Sequence, residues 1–276
     1  MENDKRIWRA VSLGAIAGVA GLMALGAAVA PSLAAEEEVE LKHVDWSFSG
    51  PFGMYNQPQL QRGYQVYKTV CANCHSMDLV SFRNLGEPGG PEFSEAAVKA
   101  LAESAQVTDG PNDKGEMFKR EGRPSDRFPA PFANEEAARA ANGGAYPPDL
   151  SVMAKAREGG ADYLYSLLTG YGEKPEDMEM STGMHYNTAF PGHQIAMPPP
   201  LADGVIPYTD DTEQTVDNYA KDVSAFLMWA AEPKLEQRHL LGHRVIIFLF
   251  VFAIIMFLAK KAVWKRVNKD HPPTEA

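Results

Sequence analysis

The sequence predicts a mainly α-helical domain with loop insertions, carried on one C-terminal transmembrane helix. Three observations lead there. Apolar residues recur at helical spacing in two segments far apart in the chain, an uncharged apolar run lies near the C-terminus, and a second apolar run follows a basic start. The 276 residues hold 26 Lys+Arg against 36 Asp+Glu, a net charge of −10, with 45% hydrophobic residues and only two cysteines. A polytopic membrane protein would not average the mean hydropathy of −0.28 found here. A disordered chain would carry less apolar residue. A nucleic-acid binder is expected to be basic, whereas the isoelectric point is near 5.2. Two cysteines cannot staple a disulfide scaffold.

Lys5, Arg6 and Arg9 precede an uncharged stretch from Ala10 to Ala30, and the small residues around Ser32-Leu33-Ala34 lead into Glu36-Glu37-Glu38. That order describes a secretory signal peptide over residues 1–35, cleaved after Ala34 or Ala35. The stretch is long for a signal core, so an uncleaved anchor competes; its many Ala and Gly make it weakly hydrophobic and favour cleavage. Both readings export the chain from Glu36 onward. Val245 to Ala259 contains no charge, and flanking apolar residues extend it to a span over 240–264, near the roughly 20 residues a bilayer requires. Arg244 and Lys260 can snorkel to the two interfaces, and Trp264 suits the headgroup belt. Lys260, Lys261, Lys265, Arg266 and Lys269 place the tail, residues 265–276, in the cytoplasm by the positive-inside rule. The expected protein is thus single-pass in a bacterial inner membrane, with residues 36–239 on the periplasmic side.

Within that exported domain, Leu60, Tyr64, Tyr67 and Val70 predict an amphipathic helix over Gln59–Val70, and Gly63 would let another helix come close. A second helix is expected over Glu213–Trp229. Asp210, Asp211 and Thr212 stand as cap and first-turn acids, Val216, Tyr219, Val223, Phe226 and Leu227 line one side, and Pro233 ends the pattern. Residues 83–140, rich in Gly, Pro and charge, form an expected insertion with short helices around Ser94–Glu103 and Asn134–Ala141.

Both cysteines fall in Cys71-Ala72-Asn73-Cys74-His75. Cys-x-x-Cys-His is the attachment pattern of a c-type haem: two thiols add to the two vinyl groups on one porphyrin edge, and the adjacent His is held against the iron. A zinc site would need further Cys or His at matching spacing, and no third Cys exists. A thioredoxin-like dithiol would be set among Val/Ile-rich strands, which are absent here. An attachment site directly after the first of two terminal helices is the layout of a cytochrome c fold. For the second axial ligand the candidates are His43, His185, His193, His239, His243, His271 and twelve methionines. His271 lies beyond the span, and His239 and His243 lie at its outer edge. Met197 stands out in Pro191-Gly192-His193-Gln194-Ile195-Ala196-Met197-Pro198-Pro199-Pro200, where a proline run presents one side chain at low entropic cost, with His193 and His185 as competitors.

These residues resemble the cytochrome c1 family, the membrane-anchored haem subunit of the ubiquinol–cytochrome c oxidoreductase (cytochrome bc1) complex. The likeness runs through Gln65–Met77, Ala141–Ser151, Tyr163–Gly170, Ile195–Leu201 and Asp222–Pro233, in order. It implies one covalently bound haem c, with Cys71 and Cys74 as thioether anchors and His75 and Met197 as iron ligands. It further implies Arg157 and Tyr163 beside the haem propionates and Pro148 packed against the ring. Read without the family, Arg157 is a helix-end cation, Tyr163 a core aromatic and Pro148 an ordinary helix start. Some bacterial relatives carry an extra cysteine pair before the Met ligand; this chain has none. The implied work is transfer of one electron from a Rieske iron–sulfur protein to a basic soluble c-type cytochrome, beside cytochrome b, with no substrate chemistry of its own. A stand-alone tethered cytochrome c and a haem sensor or peroxidase are the alternatives.

Charge is distributed by segment. Residues 36–238 hold 17 Lys+Arg against 32 Asp+Glu, a net −15, while residues 1–35 carry +1 and residues 239–276 carry +4. Acids crowd at Glu173, Glu176, Asp177 and Glu179, and at Asp203, Asp210, Asp211 and Glu213. Such a field steers a basic partner, or confers only solubility.

Overall fold

A computed structural model describes residues 39–270; the expected signal peptide and the end of the expected cytoplasmic tail lie outside the described residues. Seven α-helices follow in order: α1 Gln57–Thr69, α2 Glu95–Glu103, α3 Glu135–Ala141, α4 Met153–Ala156, α5 Ala161–Leu168, α6 Val216–Ala231 and α7 Leu235–Asp270. Two antiparallel pairs complete the set, β1 Gln106–Asp109 with β2 Phe118–Glu121, and β3 His185–Tyr186 with β4 Gln194–Ile195. The architecture is mainly α, as the periodicity predicts.

Helix α1 starts where the Asn56 side chain accepts from the Gln59 N–H at 3.0 Å, with Pro58 in the first turn, where its missing donor is no loss. Its buried face, Leu60, Gly63, Tyr64, Val66 and Tyr67, lies against α6. Gly63 is required there, because a Cβ would overlap the Asp222 carbonyl. Tyr64 meets Phe226 edge-on at 5.7 Å, and Tyr67 lies 5.8 Å from the same ring. Fully burying such side chains is worth about 1.5–3 kcal/mol each, so this crossing anchors the core.

The crossing also contains a charge. Arg62 grips the almost fully buried Asp222 through Nε at 2.7 Å and Nη2 at 3.1 Å. Its Nη1 reaches Asp210 at 2.8 Å, and the Tyr208 hydroxyl donates to Asp222 at 2.9 Å. A carboxylate this deep is tolerable only because it is paired on every side. The arrangement corrects the expected start of α6. Asp210 is spent on Arg62, and the Gln214 carbonyl accepts from Gly204 at 2.8 Å, so the helix begins a turn later. There Thr215 accepts from the Asn218 N–H at 3.3 Å, and Asp203 takes the Val216 N–H at 2.6 Å.

In the insertion, Ser94 caps α2 and Asn134 caps α3, at the places the sequence predicts. The β1–β2 hairpin was not anticipated; Arg120 closes it through Asp109 at 2.5 Å and Asp126 at 2.6 Å. Helix α7 is unbroken. Leu235 is buried under the domain, Leu240, Leu241 and the side chains from Arg244 to Lys265 are exposed, and Leu235–Lys265 is long and apolar enough to cross a membrane. The helix runs past the 240–264 span at both ends. Between α6 and α7, Glu232 binds Lys155 at 2.8 Å and Arg238 at 2.6 Å, and its N–H returns to the Met228 carbonyl at 3.0 Å.

Candidate functional site

As α1 ends, the chain tightens into a 3-10 turn over Cys71–Asn73, where the Cys71 carbonyl accepts from the N–H groups of Cys74 at 3.1 Å and His75 at 2.9 Å. Both cysteines and His75 therefore sit on one turn delivered by a rigid helix. The thiols are free; Cys71 is half-buried against the core and Cys74 is exposed. Burial pushes the Cys71 thiol up to about 12. A redox dithiol needs a depressed pKa, so this environment opposes that reading. Among the described residues no cluster of three or more His, Cys, Asp or Glu could hold a metal, which removes the zinc reading there.

The His75 Nδ1 lies 2.8 Å from the Pro148 carbonyl oxygen. A carbonyl can only accept, so Nδ1 carries the proton and Nε2 keeps its lone pair for a metal. Burial lowers the His75 pKa, against the opposing pull of the Pro148 carbonyl and Asp149, and so favours the neutral ring a ligand must be. Pro148 lies in chain without regular secondary structure and starts no helix. Behind it, Asp149 accepts from the Ser76 hydroxyl at 2.9 Å, the Asp78 N–H at 2.7 Å and the Ser151 N–H at 2.8 Å. Burial would raise the Asp149 pKa; its hydrogen bonds outweigh that and hold it below the usual carboxylate value. Ser151 accepts from the Leu79 N–H at 3.0 Å, and the Leu150 N–H donates to the Ser76 carbonyl at 2.9 Å. A cleft of about 190 Å³ opens beside Cys74 and Ser76, walled by Phe132, Ala138 and Tyr146 from the insertion.

Met197 is half-buried, and its carbonyl accepts from the Tyr171 hydroxyl at 3.1 Å. The ribbon before it hangs on the fully buried Asn187, whose amide donates to the Leu167 carbonyl of α5 at 2.8 Å and whose N–H donates to the His193 carbonyl at 3.0 Å. His185 and His193 are half-buried in that ribbon, with the His193 Nδ1 3.1 Å from the Asn187 carbonyl. Tyr163 is half-buried against the core, and it adds to burial in raising the Tyr171 pKa. Arg157 is exposed; its guanidinium touches only the Ala156 carbonyl, at 3.5 Å, and pairs with no carboxylate among the described residues.

Hydrogen bonds thus join the Cys71–His75 turn and Pro148 into one unit, and Tyr171 with Met197 into a second, near Tyr163. Arg157 is bonded to neither. Asp149 and Tyr171 are the positioning side chains that sequence reasoning missed. Asp149 had a signal, its place beside Pro148, whereas nothing local marks Tyr171. The donor chemistry suits an iron porphyrin held by its edge: two free thiols, a neutral imidazole with Nε2 available, a half-buried thioether, and a guanidinium without a carboxylate. Glu173, Glu176, Asp177 and Glu179 are all exposed, whereas Asp203 and Asp210 of the second acidic group are occupied by Val216 and Arg62.

A model of the cytochrome C1 family matches residues 46–267. The chain is 46% identical to a cytochrome c1 of Rhodospirillum rubrum over 263 residues, covering 90% of this chain and 94% of that one. It is 46% identical to a mitochondrial protein of Solanum tuberosum named "Cytochrome c1-1, heme protein", over 91% of this chain and 76% of that one. It is 51% identical to a "Cytochrome b/c1" of Bradyrhizobium diazoefficiens over 79% of this chain, and spans 35% of that longer protein.

Proposed function

The chain belongs to the cytochrome c1 family, and from that premise we propose that it is the haem-carrying electron-transfer subunit of a cytochrome bc1 complex. The single observation that carries the reading is the turn after α1. Two free thiols stand on it three residues apart, followed at once by an imidazole whose Nδ1 is occupied by Pro148 and whose Nε2 is available. In this reading Cys71 and Cys74 would hold one haem c through thioethers, and His75 and Met197 would be the ligands of its iron. When bound, the haem supplies a one-electron iron couple. Met197 favours the ferrous state through its thioether sulfur, and a filled second position discourages oxygen chemistry. Pro148 and Asp149 hold the His75 ring in one tautomer and orientation. Arg157 and Tyr163 reach the propionates, a role supported by a guanidinium that has no carboxylate of its own.

The electron comes from a Rieske iron–sulfur protein and leaves to a basic soluble c-type cytochrome, with cytochrome b as the third neighbour. The exposed acids between Glu173 and Glu179 support the basic partner. α7 crosses the inner membrane and residues 36–239 face the periplasm, the signal peptide having been removed. Purification from membranes tests the assignment. A subunit co-purifies with cytochrome b and a Rieske protein, gives a haem c pyridine haemochrome spectrum, and reduces its carrier more slowly as salt rises. Recovery as a lone haem protein with a salt-independent rate would favour the tethered shuttle.

A further inference from the structure

The turn Gly50-Pro51-Phe52-Gly53 closes with a Gly53 N–H to Gly50 carbonyl bond of 3.3 Å, and the Met54 N–H returns to the Ser47 carbonyl at 3.0 Å. Gly50 has φ +76, and a Cβ at Gly53 would overlap the Phe48 carbonyl, so the turn is set by its glycines and by Pro51. Its tip is apolar and exposed: Phe52 is 79% and Met54 61% accessible. Residues 49–54 carry no charge. An exposed aromatic on a pre-formed, uncharged turn needs a partner, and the location of the turn supplies one.

The turn is fastened to the first three turns of α7. The Tyr55 N–H donates to Glu236 at 2.8 Å, the His239 Nδ1 lies 3.1 Å from the Gly53 carbonyl, and the Phe52 ring stacks on His243 at 4.6 Å and 7°. A hydrocarbon core of about 30 Å takes about 20 helical residues. The uncharged run begins at Val245, with Arg244 and Lys260 snorkelling to the two interfaces from its ends. His243 then lies about 3 Å above the hydrocarbon edge, at 1.5 Å per residue, within the headgroup layer. Phe52, stacked on it, shares that height, and the exposed Leu240 and Leu241 lie less than a turn above.

We propose that the Pro51–Met54 turn is a second membrane contact, inserting Phe52 and Met54 into the interfacial layer of the bilayer beside α7. An apolar ring such as Phe buries at the headgroup–acyl boundary, and the thioether's apolarity suits the same layer. A helix alone leaves tilt to be set by its surroundings, whereas a helix with a lateral wedge fixes the tilt of the domain on the membrane. The inference rests on reading α7 as a membrane span.

Site-directed spin labelling tests it on the full haem-loaded chain, reduced, in bilayers of phosphatidylethanolamine and phosphatidylglycerol. Labels are placed through Phe52→Cys, Met54→Cys, Phe250→Cys in mid-span and Met117→Cys in the insertion, with the haem absorption spectrum as the check on folding. Collisions with oxygen, which partitions into lipid, are compared with collisions with a water-soluble nickel chelate. The expected result is an oxygen-to-nickel ratio at Phe52 and Met54 several-fold above that at Met117 and below that at Phe250. A ratio equal to that at Met117 overturns the proposal, as does shielding from both reagents, which would mean that protein covers the turn. A Phe250 label without oxygen preference would instead sink the membrane span itself.

Discussion

Residues 75–79 are joined to residues 148–151 by five hydrogen bonds, through His75, Ser76, Asp78, Leu79 and Leu150. Met197, the proposed second iron ligand, is tied at its own backbone by the Tyr171 hydroxyl, and its ribbon is suspended from Asn187. The first side grows out of α1 and is pinned from two directions. The second is a loop tied to α5 by Asn187 and braced within itself by the β3–β4 pairing, with the Tyr171 hydroxyl holding the Met197 backbone. A network distributes the loss of one bond among its neighbours, while a suspended loop has little to share it with. In the proposed function the first side serves permanence of attachment, and the second serves tuning.

The strongest test of that contrast is Met197→Leu. It should leave haem covalently attached while lowering the midpoint potential by roughly a few tenths of a volt, within the ~0.8 V range that axial ligands command. A potentiometric titration checks this, and an unchanged potential removes Met197 from the iron. Next comes the frame that carries the attachment turn. Arg62→Met strips Asp222 of its main partner and should cost roughly 3–5 kcal/mol in denaturant unfolding, the usual penalty for an orphaned buried charge. Asp149→Asn is smaller. The amide offers the Asp78 N–H a donor where it needs an acceptor, so about 1–3 kcal/mol of stability should go, together with a shift in potential as Pro148 loosens from His75. Stability and potential both unchanged would mean that Asp149 does not hold the Pro148 loop. Tyr171→Phe is the smallest, about 0.5–1.5 kcal/mol for one neutral bond. It should show as a modest rise in the fraction of reduced protein that binds carbon monoxide. An effect on stability larger than that of Asp149→Asn would invert the comparison.

The same contrast decides what could be read in advance. Attachment chemistry requires contiguous residues, so Cys71–His75 was legible without any fold. α1 and α6 showed in their period, and α2 and α3 as short helices within the insertion. The start of α6 was misplaced because Asp210 looks like a first-turn acid until Arg62, 148 residues earlier, is seen to claim it. The β1–β2 hairpin left no alternating apolar trace, each strand carrying one apolar residue, Val107 and Phe118, and Arg120 closing the pair. Tyr171 acts on a backbone oxygen 26 residues away, and no local pattern encodes such a reach.

Glu232, between α6 and α7, receives Lys155 and Arg238 and returns its N–H to α6, so the joint below the domain is welded on both sides. The 36 residues of α7 then make a stiff mast of about 54 Å. A cofactor mounted on a mast stays at one height above the membrane and does not swing. In the proposed function, the distance between a haem held here and its electron source would be crossed by the donor, not by this domain.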